Sequence, residues 1–170
     1  VKEDGKVYRF ILRENARFHN QDPVTSRDVI FSIKRLLRAQ PAPAVLPHLL
    51  KIVGAGEYRA NTQDTVPGLA IESERVFSVR LEESHVPFLT ALGMYPAAIV
   101  PQKEVDRLGE DFGTHPVGSG PFRFVSWEEG SSITLKRFDD YYAGPAFLDE
   151  VQYKIFPGGQ DPMVLAEFQK

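Results

Sequence analysis

The sequence predicts an α+β protein, and three observations carry that reading. Alternating apolar and polar residues recur in short runs at Val7–Arg13, Val76–Leu81, Phe122–Trp127, Ile133–Phe138 and Val151–Phe156, each of strand length. One stripe, Val29, Ile30, Ile33, Leu36 and Leu37, instead has helical spacing and lies between a capping signal and a basic end. The chain has no internal repeat and no low-complexity tract, so a mixture of strands and helices around a core is what remains.

In the first run Tyr8, Phe10 and Leu12 share one face while Arg9 and Arg13 share the other, so one side can be buried and one stay wet. A polar loop through Asn20 and Asp22 follows. Thr25 then serves as N-cap with Asp28 three residues on, which predicts a helix over Ser26–Arg38. Lys34, Arg35 and Arg38 suit the negative end of its dipole. Pro41, Pro43 and Pro47 rule out a continuing helix, and Leu49, Leu50, Ile52 and Val53 predict a new short one running towards Tyr58.

After a polar loop from Asn61 to Pro67, Ala70-Ile71 and Val76–Leu81 read as two strands separated by the turn Glu72–Arg75, with Phe77, Val79 and Leu81 on one face. Pro87 suits the first turn of a short helix and Gly93 its exit. Ala97–Val100 is a small apolar run, and Pro101–Leu108 is a further short helix closed by Gly109. In the last third, Phe122–Trp127 and Ile133–Phe138 flank the turn-like insert Glu128–Ser132 and form a hairpin. Val151, Tyr153 and Ile155 alternate with Gln152 and Lys154 in another strand. Asp161-Pro162 starts a helix that carries Val164, Leu165 and Phe168.

With 42% apolar and 25% charged residues in 170, the composition is that of a soluble globular protein. A chain of this size buries roughly 70% of its unfolded surface without needing a metal or disulfide. Twenty Lys and Arg against 23 Asp and Glu give a net charge of −3, which offers no footprint for nucleic acid or anionic lipid. No apolar run approaches the ~18 residues of a membrane span, and the start Val1-Lys2-Glu3-Asp4-Gly5 has no apolar signal region, so no direct membrane insertion is expected. The absence of cysteine excludes disulfide scaffolds, thiolate zinc sites and cysteine nucleophiles. A start without Met and an end at Phe168-Gln169-Lys170 inside the last expected helix lead us to expect a fragment of something longer.

The residues that could carry chemistry do not converge on a reaction. His19, His48, His85 and His115 show no spacing that would set two imidazoles on one helix face, and each reads as a surface or loop histidine. Gly118-Ser119-Gly120 fails as a dinucleotide loop, because Arg123 stands where the third glycine belongs and Pro121 and a strand follow. It also fails as a nucleophile elbow, because its glycines adjoin the serine directly. Asp139-Asp140 on an extended segment point apart, and such a pair belongs to a solvated turn. Trp127, Tyr141, Tyr142, Phe147 and Phe156 concentrate aromatic surface in the last third, as core or as stacking surface for a ligand. We therefore expect no enzyme, no cofactor and no metal.

The order of segments is more informative. Tyr8-Arg9-Phe10-Ile11-Leu12-Arg13-Glu14, then Phe18-His19-Asn20 and Pro23-Val24-Thr25-Ser26-Arg27-Asp28-Val29, resembles extracellular solute-binding protein family 5, the oligopeptide and dipeptide receptors of ABC importers. Pro116-Val117-Gly118-Ser119-Gly120-Pro121-Phe122-Arg123-Phe124 resembles that family's Pro-Val-Gly-Thr-Gly-Pro-Tyr strand entry. Asp140-Tyr141-Tyr142, Gly144-Pro145 and Leu148-Asp149-Glu150-Val151 resemble its Tyr-Trp and Leu-Asp-x-Val block. Gly54-Ala55-Gly56-Glu57-Tyr58 and Val86-Pro87-Phe88-Leu89 are similar to segments of the peptide-binding branch. Two departures stand out: Asn20-Gln21 replaces the usual Asp-Gly turn, and Tyr142 replaces the common Trp.

The resemblance implies a periplasmic-binding-protein type II fold in a three-lobed form. Residues 1–115 would supply the small lobe and residues 116–170 part of the first large lobe, while the other large lobe is absent. It implies a receptor in the periplasm, or tethered outside the cell as a lipoprotein, that closes over a peptide or other small solute and delivers it to a membrane permease. Gly118, Ser119 and Gly120 are its candidate cleft residues, the alternative being a tight turn that needs glycine. Two other outcomes stay open: a ligand-sensing domain of a transcriptional regulator, or the same receptor class carrying a nickel chelate, haem or sugar. With half the cleft absent, these residues alone are expected to bind peptide weakly or not at all.

Overall fold

Six short strands were expected alongside the helices; six strands and five α-helices form among residues 5–156, which the computed structural model describes. In chain order they are β1 (Val7–Ile11), α1 (Ser26–Arg38), α2 (Leu46–Leu49), α3 (Ala55–Arg59), β2 (Leu69–Ser73), β3 (Val76–Arg80), α4 (Phe88–Leu92), α5 (Gln102–Leu108), β4 (Phe122–Glu128), β5 (Ser132–Arg137) and β6 (Glu150–Lys154). Single-turn 3₁₀ helices sit at Tyr95–Ala97 and Gly109–Gly113. The helix expected from Asp161 lies outside the described residues.

The first sheet has the order β1-β3-β2, antiparallel throughout. Its register places Tyr8 opposite Val79 and Phe10 opposite Phe77, with Leu69 and Ile71 of β2 aligned on the same two β3 residues. The apolar positions therefore share one face, as the period of two requires. Tyr8, Phe77 and Val79 are buried there with Val29, Ile30, Ile33 and Leu37 of α1, and Phe10 stacks on Phe77 with ring centroids 4.8 Å apart.

Helix α1 has the expected bounds. Thr25 Oγ1 accepts the Asp28 N–H at 3.4 Å, while Asp28 Oδ2 accepts the Thr25 N–H at 3.0 Å, so both halves of a capping box are made. Arg38 at its basic end lies 4.0 Å over the Tyr58 ring.

The stretch towards Tyr58 differs from expectation. Two helices, α2 and α3, replace one, because Ile52 leaves the helical path to form a β-bridge with Leu81 and Gly54 turns back with a φ of 78°. Pro47, read as excluding a continuation of α1, which does end at Arg38, lies in the first turn of α2, where its missing N–H costs nothing. The turn between β2 and β3 is also tighter than Glu72–Arg75: the strands reach Ser73 and Val76, and the extra length is absorbed by a bulge between Ile71 and Ser73.

The second sheet is an antiparallel meander, β4-β5-β6. Its first turn, Glu129 to Ser131, carries Gly130 at a φ of 72°, the left-handed position a three-residue hairpin loop asks of glycine. The register puts Phe124, Leu135 and Val151 in one row and Trp127, Ile133 and Tyr153 in the next, so one face of this sheet is apolar. Phe124, Ile133, Leu135 and Val151 are half-buried, and Trp127 and Tyr153 stay 47% and 57% exposed.

Candidate functional site

The loop before α1 and the entry to β4 meet in a seam that joins the two sheets. Phe18, with no exposed surface, anchors the loop, and its N–H bonds the Asp22 carbonyl at 2.9 Å. That anchor fixes the direction of the next side chain, His19. Its backbone N–H donates to the Gly118 carbonyl at 2.8 Å. Its ring accepts the Gly118 N–H at Nδ1 (3.2 Å) and faces the Gly120 carbonyl with Nε2 (3.1 Å). An N–H points at Nδ1, so the proton belongs on Nε2, which then donates to Gly120. The edge-to-face contact with Phe138, 5.1 Å between centroids, closes the third side of the ring.

Burial disfavours a charged imidazole here and lowers the pKa of His19; the Gly120 carbonyl opposes this, and the nearby Arg123 guanidinium adds to the lowering. Further along the seam Gln21 Nε2 donates to Asp140 Oδ2 at 2.9 Å and Asn15 Nδ2 to the Tyr142 carbonyl at 3.0 Å. Arg13 stands 5.1 Å over the Tyr142 ring. Gln21 and Tyr142, the two departures noted in the sequence, are thus both seam residues. A cleft of about 190 Å³ opens beside His19, Gln21, Arg123 and Asp140.

Gly118, Ser119 and Gly120 come together at this seam and are half-buried. Neither glycine has a φ in the left-handed region. A Cβ on Gly118 would sit 3.5 Å from His19 Cε1, an ordinary contact, and one on Gly120 would meet nothing within 4 Å. Neither positive φ nor crowding by the described residues demands glycine at either place, and among those residues the space beside Gly120 is open.

The other groups weighed in the sequence do not gather into a reaction centre. Asp139 pairs with Arg137 at 2.7 Å while Asp140 takes the Gln21 amide, so the two carboxylates have separate partners. His48 Nδ1 and His85 Nε2 lie 2.8 Å apart with ring centroids at 5.1 Å, so the nitrogens meet head-on. That is a hydrogen bond; a metal at about 2.0–2.1 Å from each nitrogen would need the rings turned towards a common point. Among the described residues no group of three or more His, Asp or Glu could hold a metal ion, and no helix is long and apolar enough to cross a membrane.

The sequence reading missed His19, taken there for a loop histidine. No spacing rule could flag it, because its partners Gly118 and Gly120 are 99 and 101 residues away. The seam brings backbone donors and acceptors, aromatic rings and the two glycines together, and His19 and Gln21 are paired within it.

The profile of the bacterial extracellular solute-binding proteins, family 5 Middle, matches residues 1–170. The dipeptide-binding protein DppE of Bacillus subtilis (strain 168) is 31% identical over 161 residues, covering 91% of this chain and 29% of DppE. The HTH-type transcriptional regulator SgrR of Escherichia coli O6:K15:H31 is 29% identical over 150 residues, covering 88% of this chain and 23% of SgrR. The substrate-binding domain of an oligopeptide ABC transporter from Bacillus anthracis str. Ames superposes with a TM-score of 0.86 at 26% identity, covering 99% of this chain and 34% of that structure. The chain thus spans about a third or less of the length of these relatives.

Proposed function

Because the chain belongs to the bacterial extracellular solute-binding proteins of family 5 and has their type II periplasmic-binding-protein fold of mixed helix and sheet, we propose that it is part of the solute receptor of an ABC importer, with oligopeptides or dipeptides as the solute. The observation that carries this reading is the family match over all 170 residues. Residues 1–115 act as the small lobe and residues 116–170 as part of the first large lobe. The receptor works in the periplasm or tethered outside the cell, and passes its solute to a membrane permease.

Such a receptor needs no reacting group. It needs two walls that close over a solute, and the solute shifts the open–closed equilibrium by its differential affinity for the closed form. Gly118, Ser119 and Gly120 line one wall. Supporting this, neither glycine is required by a left-handed φ, and Gly120 faces open space, as a backbone approached closely by a ligand does. Gly120→Ala is expected to leave folding intact or stabilise it by about 0.4–1 kcal/mol. In the natural full-length polypeptide it lowers solute affinity about tenfold, one methyl's worth of overpacking at 1–3 kcal/mol; affinity equal to the unsubstituted protein removes these residues from the cleft.

Native mass spectrometry of the natural full-length polypeptide, purified from its own host, tests the reading. A co-purified peptide supports it, whereas a nickel chelate, haem or sugar keeps the receptor and replaces its solute. The match to SgrR favours one second reading, a ligand-sensing module of a transcriptional regulator. A helix-turn-helix region elsewhere in the same polypeptide, with specific DNA binding, decides for that reading and against the receptor.

A further inference from the structure

We propose that His19 is a positioning residue that locks the Gly118–Gly120 segment, and the β4–β6 sheet that follows it, onto the loop preceding α1, and that protonation of its imidazole opens this lock. Four contacts from one residue converge on the seam: the backbone N–H on the Gly118 carbonyl, Nδ1 on the Gly118 N–H, Nε2 on the Gly120 carbonyl and the ring face on Phe138. Both ring nitrogens are satisfied only in the neutral Nε2–H form. A second proton would have to sit on Nδ1, directly against the Gly118 N–H. It would remove the acceptor, leave a half-buried amide without its partner and set two donors face to face.

The charges around the ring do not rescue the imidazolium. Arg123 on β4 repels it. Arg137 at the end of β5 is held by Asp139 and Asp149, which engages both of those carboxylates, and Asp140 takes the Gln21 amide. Asp22, in the loop of His19 itself, accepts from Asn20 at 3.2 Å. Because folding lowers the pKa of His19, the unfolded chain binds more protons than the folded one as pH falls below about 6.5, the ordinary histidine value. The lock is fully made above that pH and is lost as pH falls through the lower, folded value.

Spin labels test this in the natural full-length polypeptide, with Lys103→Cys on α5 and Lys136→Cys on β5 as attachment points, both exposed. Electron–electron double resonance at pH 7.5 is expected to give one narrow distance population, and at an acid pH where ¹⁵N shifts show His19 as the imidazolium, a second population at the expense of the first. His19→Phe keeps a ring against Phe138 but has no nitrogen; it is expected to show the acid distribution at both pH values. Unchanged distances between the neutral and the imidazolium form, or a pH response that persists in His19→Phe, overturn the lock. Should His19→Phe fail to fold, ¹⁵N NMR of the unsubstituted protein decides, with the neutral Nε2–H tautomer expected and the Nδ1–H tautomer contradicting it. The consequence for solute contact rests on the receptor reading, but the distances need no solute, so the two can fail separately.

Discussion

At the scale of single residues, two backbone positions decide how closely segments approach. A Cβ at Gly68 would lie 2.7 Å from both the Arg80 carbonyl oxygen and Ile52 Cγ2, and 2.8 Å from the Val53 nitrogen. Gly68→Ala must push these backbones apart, so it is expected to destabilise by about 1–3 kcal/mol or more, read as a lower denaturation midpoint. Gln21 presents the opposite case. It stands where the resembling family has the glycine of its turn, and it holds a φ of 74° that costs a non-glycine residue roughly 1–2 kcal/mol. Gln21→Gly is therefore expected to stabilise by about 0.5–1 kcal/mol despite losing the bond to Asp140, and equal or lower stability in thermal denaturation would contradict this. Asn20-Gln21 was visible in the sequence as a departure from a turn motif, but not its outcome: the side chain that replaced glycine reaches Asp140, 119 residues on.

At the scale of elements, legibility follows the locality of the cause. Helix α1 was readable to its ends because its determinants lie within a few residues: the Thr25–Asp28 box, the apolar stripe and the basic last turn. Thr25→Ala removes the box and is expected to cost about 1 kcal/mol, measured by chemical denaturation; a loss below about 0.3 kcal/mol would mean that packing alone sets this helix start. The hairpin of β4 and β5 was readable for the same reason. Helices α2 and α3 were not separable in sequence, since the break between them comes from the bridge of Ile52 to Leu81 across the fold. The prolines were readable as the end of the first helical path, but that Pro47 also sits in the first turn of the next helix shows only in the observed bounds of α2.

At the scale of the whole molecule, the core of α1 and the first sheet is closed, while the second sheet presents Trp127 and Tyr153 on its apolar face. The seam between them was half legible. Gly118, Ser119 and Gly120 stood out as a strand entry with no catalytic use, whereas His19 gave no local signal of its role in holding them. The family resemblance carried more of the proposed function than any pattern in the residues, because a receptor of the proposed kind would work by closing two walls and would need no catalytic constellation. The direct measurement is calorimetric titration of oligopeptides into the natural full-length polypeptide, beside the same titration into these 170 residues alone. A cleft built from two walls predicts a Kd of about 1 μM or tighter, near −8 kcal/mol, for the full-length polypeptide and no measurable heat for the isolated chain. Micromolar binding by the 170 residues alone, or no heat with any peptide in the full-length polypeptide, would contradict it.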